Sequence, residues 1–364
     1  MKNDRVLILT WCATSLNFGE TLQAYAMQSI VKKFHMRPCI VSYLDNTLRK
    51  NKSIYHKSIL GYLKFFRFIK KHMCKVIQYG EEKKVEKFSK EFDIFICGSD
   101  QVWNPCYYEK HKVFYLNFGD KNKKRISYAP SMGVSKIEKK NERIIKEIEK
   151  SIKNFDYVSV REYTAWEILN KNQNIHVVLD PTLIISRKEW SRLAARRKKK
   201  EDYILVYILG SISHYRKMIF EAQKKYEAKN ILWIDVIRGE SLEGDIVKKL
   251  KNLSPEDFLF YIENAKAVIT DSFHGVMFSI KFRRNFFALD RKYHIKQTIS
   301  DPRVPDILKR LHLEQRKVCN IKDLKEAQKK IDYSQVETYY QKEREKSILF
   351  WKEALLDEKN KTFR

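Results

Sequence analysis

The strongest constraint in this sequence is a rhythm. Short β-rich runs alternate with stretches of helical period, and they do so in two series. In the first series, residues 6–10, 37–41, 93–97, 125–129, 157–160 and 176–178 read as strands. Residues 20–33 and 162–170 read as helices, the first with Leu22, Tyr25, Ala26, Ser29 and Ile30 on one side. In the second series, strands at 203–209, 231–236, 267–270 and 286–289 alternate with helices at 214–227, 255–264 and 276–281. Alternation of this kind builds βαβ units, and βαβ units build parallel sheets. A chain of 364 residues also exceeds what one core serves, since cores stop growing near roughly 250–300 residues. The expectation is two Rossmann-like parallel-sheet domains facing a cleft, over 1–185 and 186–330. The polar run RRKKK at 196–200 reads as a linker. Residues 331–364 are expected to form a charged helix that docks back through Ile348, Leu349, Trp351, Leu355 and Leu356.

Composition narrows the function classes. The formal charge is +28, and each side of residue 185 carries +14, so this is not a neutral core with a basic tail. An anionic partner or substrate follows. Six cysteines at 12, 39, 74, 97, 106 and 319 form no CxxC pair, which excludes a disulfide framework and a structural zinc and fits free thiols in a reducing cytoplasm. No metal site is expected. The longest apolar runs, such as 203–209, are about seven residues, too short to span a bilayer. The opening MKNDRVLILTWC is read as a first buried strand rather than a leader, because Trp11 is not the small residue that cleavage before Cys12 would want.

Glycine is scarce: ten in 364 is about 3%, against an average near 7%. Gly19, Gly98, Gly133, Gly210 and Gly275 all follow expected strands. Ligands in open α/β sheets bind beyond the carboxyl ends of strands, where backbone must come close. Four segments there carry the chemistry. Asn17, Gly19 and Gln23 stand at the opening of the first helix, whose N-terminus either receives an anion or hydroxyl or is a simple capped turn. Gly98, Ser99, Asp100, Gln101 and Trp103 combine a carboxylate, an amide and an aromatic, as sugar recognition requires; the alternative is an Asx turn with a packed Trp. Arg161, at a strand end before Glu162, either grips a carboxylate or phosphate or forms a surface pair. Ser272, His274 and Gly275 open a helix after a buried strand, where an anion binds and a His transfers a proton; the alternative is a structural His.

A fifth stretch, from Arg49 to Lys75, holds nine Lys/Arg and no acid. Lys64, Arg67, Lys71 and Lys75 recur on one helical face, and Ile59, Leu63, Phe66, Ile69 and Met73 on the other. Peripheral contact with an anionic membrane or a core helix with a solvated basic face both satisfy that pattern.

In order along the chain, NFGETLQAYAMQ, FICGSDQVWNP, RISYAPSMG, SVRE, LDPTLI and VITDSFHGVMFSI resemble the polysaccharide pyruvyl transferase family. The resemblance covers residues 11–290. It implies a fold similar to B-type glycosyltransferases, phosphoenolpyruvate as co-substrate with no other cofactor, and a sugar acceptor in a bacterial surface polysaccharide or its lipid-linked precursor. The product is a pyruvate ketal. By resemblance, Arg161 and His274 match donor-binding positions, with the acceptor side in 1–185 and the donor side in 186–330. Asp100 would be the acceptor base. Many members carry Arg two residues before this His; here that residue is Ser272, and Lys281 or Arg283 would have to substitute. The competing class is a nucleotide-sugar-dependent glycosyltransferase on the same fold. A nucleic-acid-binding role rests on charge alone, with no aromatic RNA-binding signature or zinc finger, and is not expected.

Overall fold

The computed structural model describes residues 4–12, 16–43, 58–137, 142–172, 174–195, 202–237, 239–292, 298–299 and 301–356. The expected linker at 196–200 lies outside them, as does the first part of the basic stretch, 49–57. The chain divides into two compact units.

Unit 1 comprises 1–51, 69–185 and 341–364. Its sheet has seven strands: β1 (Arg5–Thr10), β2 (Arg37–Tyr43), β3 (Val76–Tyr79), β4 (Ile94–Cys97), β5 (Lys124–Ser127), β6 (Tyr157–Val160) and β7 (Ile175–Val177). Their order is β3-β2-β1-β4-β5-β6-β7, and every pairing is parallel. The order reverses between β1 and β4. The central strands are near-continuous apolar runs such as VLIL and IFIC because both sheet faces are covered. The helix Phe18–Lys33 follows β1 and is buried on almost every side, Tyr25 and Ser29 being only half-buried.

Unit 2 comprises 52–68 and 186–340. Its five strands are β8 (Tyr203–Tyr207), β9 (Asn230–Ile234), β10 (Val247–Leu250), β11 (Ala267–Thr270) and β12 (Asn285–Ala288). The order is β10-β9-β8-β11-β12, again all parallel, reversing between β8 and β11. A two-stranded antiparallel pair, β13 (Arg291–Lys292) with β14 (Thr298–Ile299), follows β12. The units are not sequence halves. Residues 52–68 belong with unit 2, where Ser58 hydrogen-bonds Asn252 and Lys64 Nζ lies 3.5 Å from Asp257.

Every strand the rhythm marks is present. Missing from that reading are β3 (VIQY) and β10 (VKKL), each at one edge of its sheet, and the two-residue strands β13 and β14. β3 and β10 are only partly covered, so no apolar run announces them, whereas the edge strand β12 (NFFA) is mostly buried and was read.

The C-terminal helix Tyr333–Leu356 docks its later turns on unit 1 through a stripe that keeps the expected Trp351 and Leu355 but not Leu349 and Leu356. Phe350, Trp351, Ala354 and Leu355 are buried, while Leu349 and Leu356 are exposed. Trp351 stacks on Tyr128 at 4.3 Å between centroids, and Ser347 Oγ accepts from Leu179 N at 2.9 Å. Trp351→Ala therefore lowers stability by about 3–5 kcal/mol. Leu349→Ala stays within about 0.5 kcal/mol. Urea unfolding of the two variants checks the contrast.

Candidate functional site

In an open parallel sheet the two connections on either side of a strand-order reversal diverge and leave a crevice beyond the strands' carboxyl ends. In unit 1 that place is the end of β1 and β4, and in unit 2 the end of β8 and β11.

In unit 1, Thr10 is fully buried at the end of β1. Its Oγ1 donates to Ser99 O at 2.8 Å and accepts from Gln23 Nε2 at 2.9 Å. Gln23 also donates to Trp11 O at 2.9 Å and Glu20 O at 3.1 Å. A Cβ on Gly98 would lie 2.8 Å from Thr10 Cβ, so the glycine is required by protein packing. Ser99 Oγ donates to Ala129 O at 2.9 Å and lies 3.3 Å from Asp180 Oδ2. Arg161 Nη1 donates to the same Asp180 oxygen at 2.7 Å. Thr10, Gln23, Ser99, Arg161 and Asp180 thus form one buried network across four connections.

Arg161 is not a surface residue; its side chain is 2% exposed. Three carboxylates surround it: Asp180 at 2.7 Å, Glu162 at 3.8 Å and Asp100 at 3.9 Å. Glu162 is itself held by Ser131 Oγ at 2.7 Å, Met132 N at 2.9 Å and Gly133 N at 3.3 Å. A guanidinium already balanced in this way is a poor direct grip for an anion and a good anchor for carboxylates. Asp100 has φ +87°, a conformation that a residue with a side chain rarely adopts. Its carboxylate accepts from Gln101 N at 2.8 Å, and its carbonyl accepts from Ser131 N at 2.8 Å. Asn17 caps the first helix, accepting from Gly19 N at 2.8 Å.

Trp103 corrects the expectation of a sugar-stacking face. It is fully buried, stacks on Tyr115 at 5.4 Å and meets Phe155 edge-on at 5.8 Å. Its ring faces the core, so it shapes the strand end and cannot lie against a ligand.

In unit 2, Thr270 plays the part of Thr10. Its Oγ1 donates to Tyr207 O on β8 at 2.6 Å and accepts from Ser272 N at 3.0 Å. A Cβ on Gly275 would lie 3.1 Å from Thr270 Cβ and far too close to its hydroxyl, so only glycine fits. Ser272 caps the nine-residue helix Phe273–Lys281, its Oγ accepting from Gly275 N at 3.3 Å. His274 stands in the first turn, 7% exposed, edge-on to Phe273 at 5.3 Å. The helix dipole makes this end favourable to negative charge. Ser272, His274 and Gly275 are therefore brought together on one turn.

Around that turn stand charges that the sequence reading did not single out. Asp271 is fully buried and accepts from Leu209 N at 2.7 Å and Gly210 N at 2.8 Å. Burial pushes its carboxyl up, while Arg291 and the two amides pull it down; burial prevails. Arg291 Nε lies 3.6 Å from Asp271 Oδ2, and its Nη2 donates to Asp271 O at 3.1 Å. Arg303 lies over the Phe273 ring at 5.1 Å and donates from Nε to Asp301 Oδ1 at 2.7 Å. Lys281 and Arg283 do not substitute for the missing cation. They sit at the other end of the helix, where Lys281 Nζ bonds Tyr340 Oη and Arg283 pairs with Glu337 at 2.7 Å. Among the described residues, no group of three or more His, Cys, Asp or Glu is placed to hold a metal ion.

Two parallel α/β units, each with its polar cluster at the strand-order reversal, define a protein of the B-type glycosyltransferase architecture. Solved structures agree. A putative UDP-N-acetylglucosamine 2-epimerase from Listeria monocytogenes is 13% identical, with TM-score 0.54 over 100% of this chain and 99% of that one. The UDP-GlcNAc 2-epimerase from Neisseria meningitidis, bound to UDP-GlcNAc, is 9% identical, with TM-score 0.51 over 97% and 99%. An alpha-glucosyltransferase in complex with UDP is 10% identical, with TM-score 0.50 over 96% of each chain. At such identities the likeness concerns the fold. No curated protein matches the chain. The polysaccharide pyruvyl transferase family model matches residues 17–293, and the chain belongs to that family.

Two predictions follow from these clusters. Gly275→Ala costs about 1–3 kcal/mol through its clash with Thr270. In a Thr270→Ala background the added cost falls well below that, as a denaturation double-mutant cycle would detect. Burial would raise the Asp301 carboxyl, but Arg303 beside it and Arg291 outweigh burial and hold it down at about 2, against an ordinary 3.8. Its pairing therefore stabilises fully above pH 3.8 and is lost as pH falls toward 2. Asp301→Asn removes about 2 kcal/mol at neutral pH and flattens that acid-side decline, which unfolding curves across pH 2–5 would reveal.

Proposed function

We propose that this protein moves the enolpyruvyl group of phosphoenolpyruvate onto a sugar of a bacterial surface polysaccharide or of its lipid-linked precursor, forming a pyruvate ketal in the cytoplasm. The observation that carries the reading is His274 on a buried helix N-terminus at the unit 2 strand reversal, in a chain of this family.

The reaction requires several separate acts. C3 of the enolpyruvyl group takes a proton and becomes a methyl. Two sugar hydroxyls form bonds to C2 and give up their protons. The C2–O bond to phosphate breaks, and phosphate leaves with the bonding pair. The balance is two hydroxyl protons lost, one gained at C3 and one passed to phosphate or solvent.

Donor binding falls to unit 2. The helix N-terminus capped by Ser272, with the backbone at Gly275, favours an anion. His274 is placed to donate a proton or hold phosphate. With Ser272 in place of the family's usual Arg, the cation for the donor is Arg291, which, unlike the enclosed Arg161, keeps 21% of its side chain exposed while its Nη2 donates to Asp271 O. Unit 1 serves the acceptor. Asp100 is the candidate base for a sugar hydroxyl, and the polar strand ends with Asn17, Gly19, Gln23, Gly98, Ser99 and Gln101 frame it. Arg161 acts as a positioning residue, hydrogen-bonded to Asp180 at 2.7 Å and 3.9 Å from Asp100, rather than touching the donor.

The test is ligand-dependent stability followed by transfer. At about a hundred times its Kd, phosphoenolpyruvate stabilises the folded protein by roughly 2.7 kcal/mol. His274→Ala abolishes the shift, and Arg291→Ala weakens it. Arg161→Ala retains donor stabilisation and loses turnover. Labelled pyruvate, not labelled sugar, then reaches a glycan precursor. Stabilisation by UDP-GlcNAc with none by phosphoenolpyruvate overturns the reading in favour of a nucleotide-sugar glycosyltransferase.

A further inference from the structure

The basic helix Ile59–His72 presents its apolar residues the opposite way from the core-helix expectation. Gly61, Phe65 and Phe68 are its buried face. Ile59, Leu63 and Phe66, at i, i+4 and i+7, are exposed, and so are Leu60 and Tyr62 beside them. Ile59 is 83% exposed and the other four more than half. Single exposed apolar residues are ordinary; a contiguous set on one helix is a contact surface. Among the described residues, no helix is long and apolar enough to cross a membrane, so the patch is a surface feature and not part of a span.

Charge decides what the patch meets. Arg67, Lys70 and Lys71 are exposed on the same helix, and the stretch from Arg49 to Lys75 has nine cations and no acid. A second copy would set these cations against each other. An anionic bilayer satisfies both halves of the surface: the apolar side chains enter the boundary between headgroups and acyl chains, and the cations meet lipid phosphates. Tyr62 and Phe66 are suited to that boundary. We propose that the face formed by Ile59, Leu60, Tyr62, Leu63 and Phe66 docks this protein peripherally on an anionic lipid bilayer, with Arg67 and Lys70 supplying the charge selectivity. This goes beyond the donor chemistry and stands independently of it.

The full chain is mixed with vesicles of phosphatidylcholine alone, or of phosphatidylcholine with phosphatidylglycerol, and sedimented without donor or acceptor. Binding is expected to the phosphatidylglycerol vesicles, weakened by salt. Arg67→Gln with Lys70→Gln lowers the partition on the order of 30-fold, at roughly one charge interaction each. Leu63→Gln with Phe66→Gln lowers it at least about tenfold while thermal unfolding is unchanged, because both side chains are exposed. Equal binding to both vesicle types, no binding to either, or full binding by the Leu63/Phe66 variant overturns the proposal. A dimer in solution that this variant dissolves overturns it in favour of a second copy. Binding to polyglutamate without vesicle binding overturns it in favour of an acidic protein. None of these results bears on phosphoenolpyruvate stabilisation, so the two readings fail separately.

Discussion

A threonine hydroxyl at each strand-order reversal is the interaction on which both candidate clusters depend. Thr10 ties the end of β1 to Ser99 after β4, and Thr270 ties the end of β11 to Tyr207 on β8. Both are fully buried, where a hydroxyl must find partners. Each also crowds a facing residue down to glycine, Gly98 in one unit and Gly275 in the other. The scarce glycines therefore mark the candidate sites for a reason internal to the protein. The stitch between central strands leaves no space for a Cβ, and the polar turn that follows is set in place as a consequence.

The charges at the two clusters are balanced locally. Arg161 stands among Asp100, Glu162 and Asp180. Arg291 and Arg303 stand with Asp271 and Asp301. The formal +28 is thus not stored in the candidate sites. Exposed cations outside the two clusters, such as Arg67, Lys70 and Lys71, carry part of it. On the helix Ile59–His72 that excess coincides with exposed apolar side chains, which sets this face apart from an ordinary solvated one.

Much of the architecture was legible because parallel strands covered on both faces must be apolar throughout, and their runs stand out between amphipathic helices. The turn Ser272–His274–Gly275 was legible for a related reason: small polar residues directly after a buried strand mark its carboxyl end. Two kinds of feature were not legible. Edge strands β3 and β10 lack the apolar run, since only part of each is covered. Partners distant in sequence carry no local signal: Asp180 for Arg161 and Arg291 for Asp271 are ordinary charged residues until the chain folds.

By itself, the sequence determined that this chain builds two parallel α/β units, that it belongs with the polysaccharide pyruvyl transferases, and which turns carry its polar chemistry. These are local properties, written in period, apolar runs and short motifs. Only the tertiary structure decided the strand order, and with it where each sheet reverses. Only it showed Trp103 to be core, Arg161 to be enclosed by carboxylates, and Ile59, Leu63 and Phe66 to face outward. Periodicity names two faces of a helix, but which face is buried depends on what packs against it, and that is a property of the whole fold.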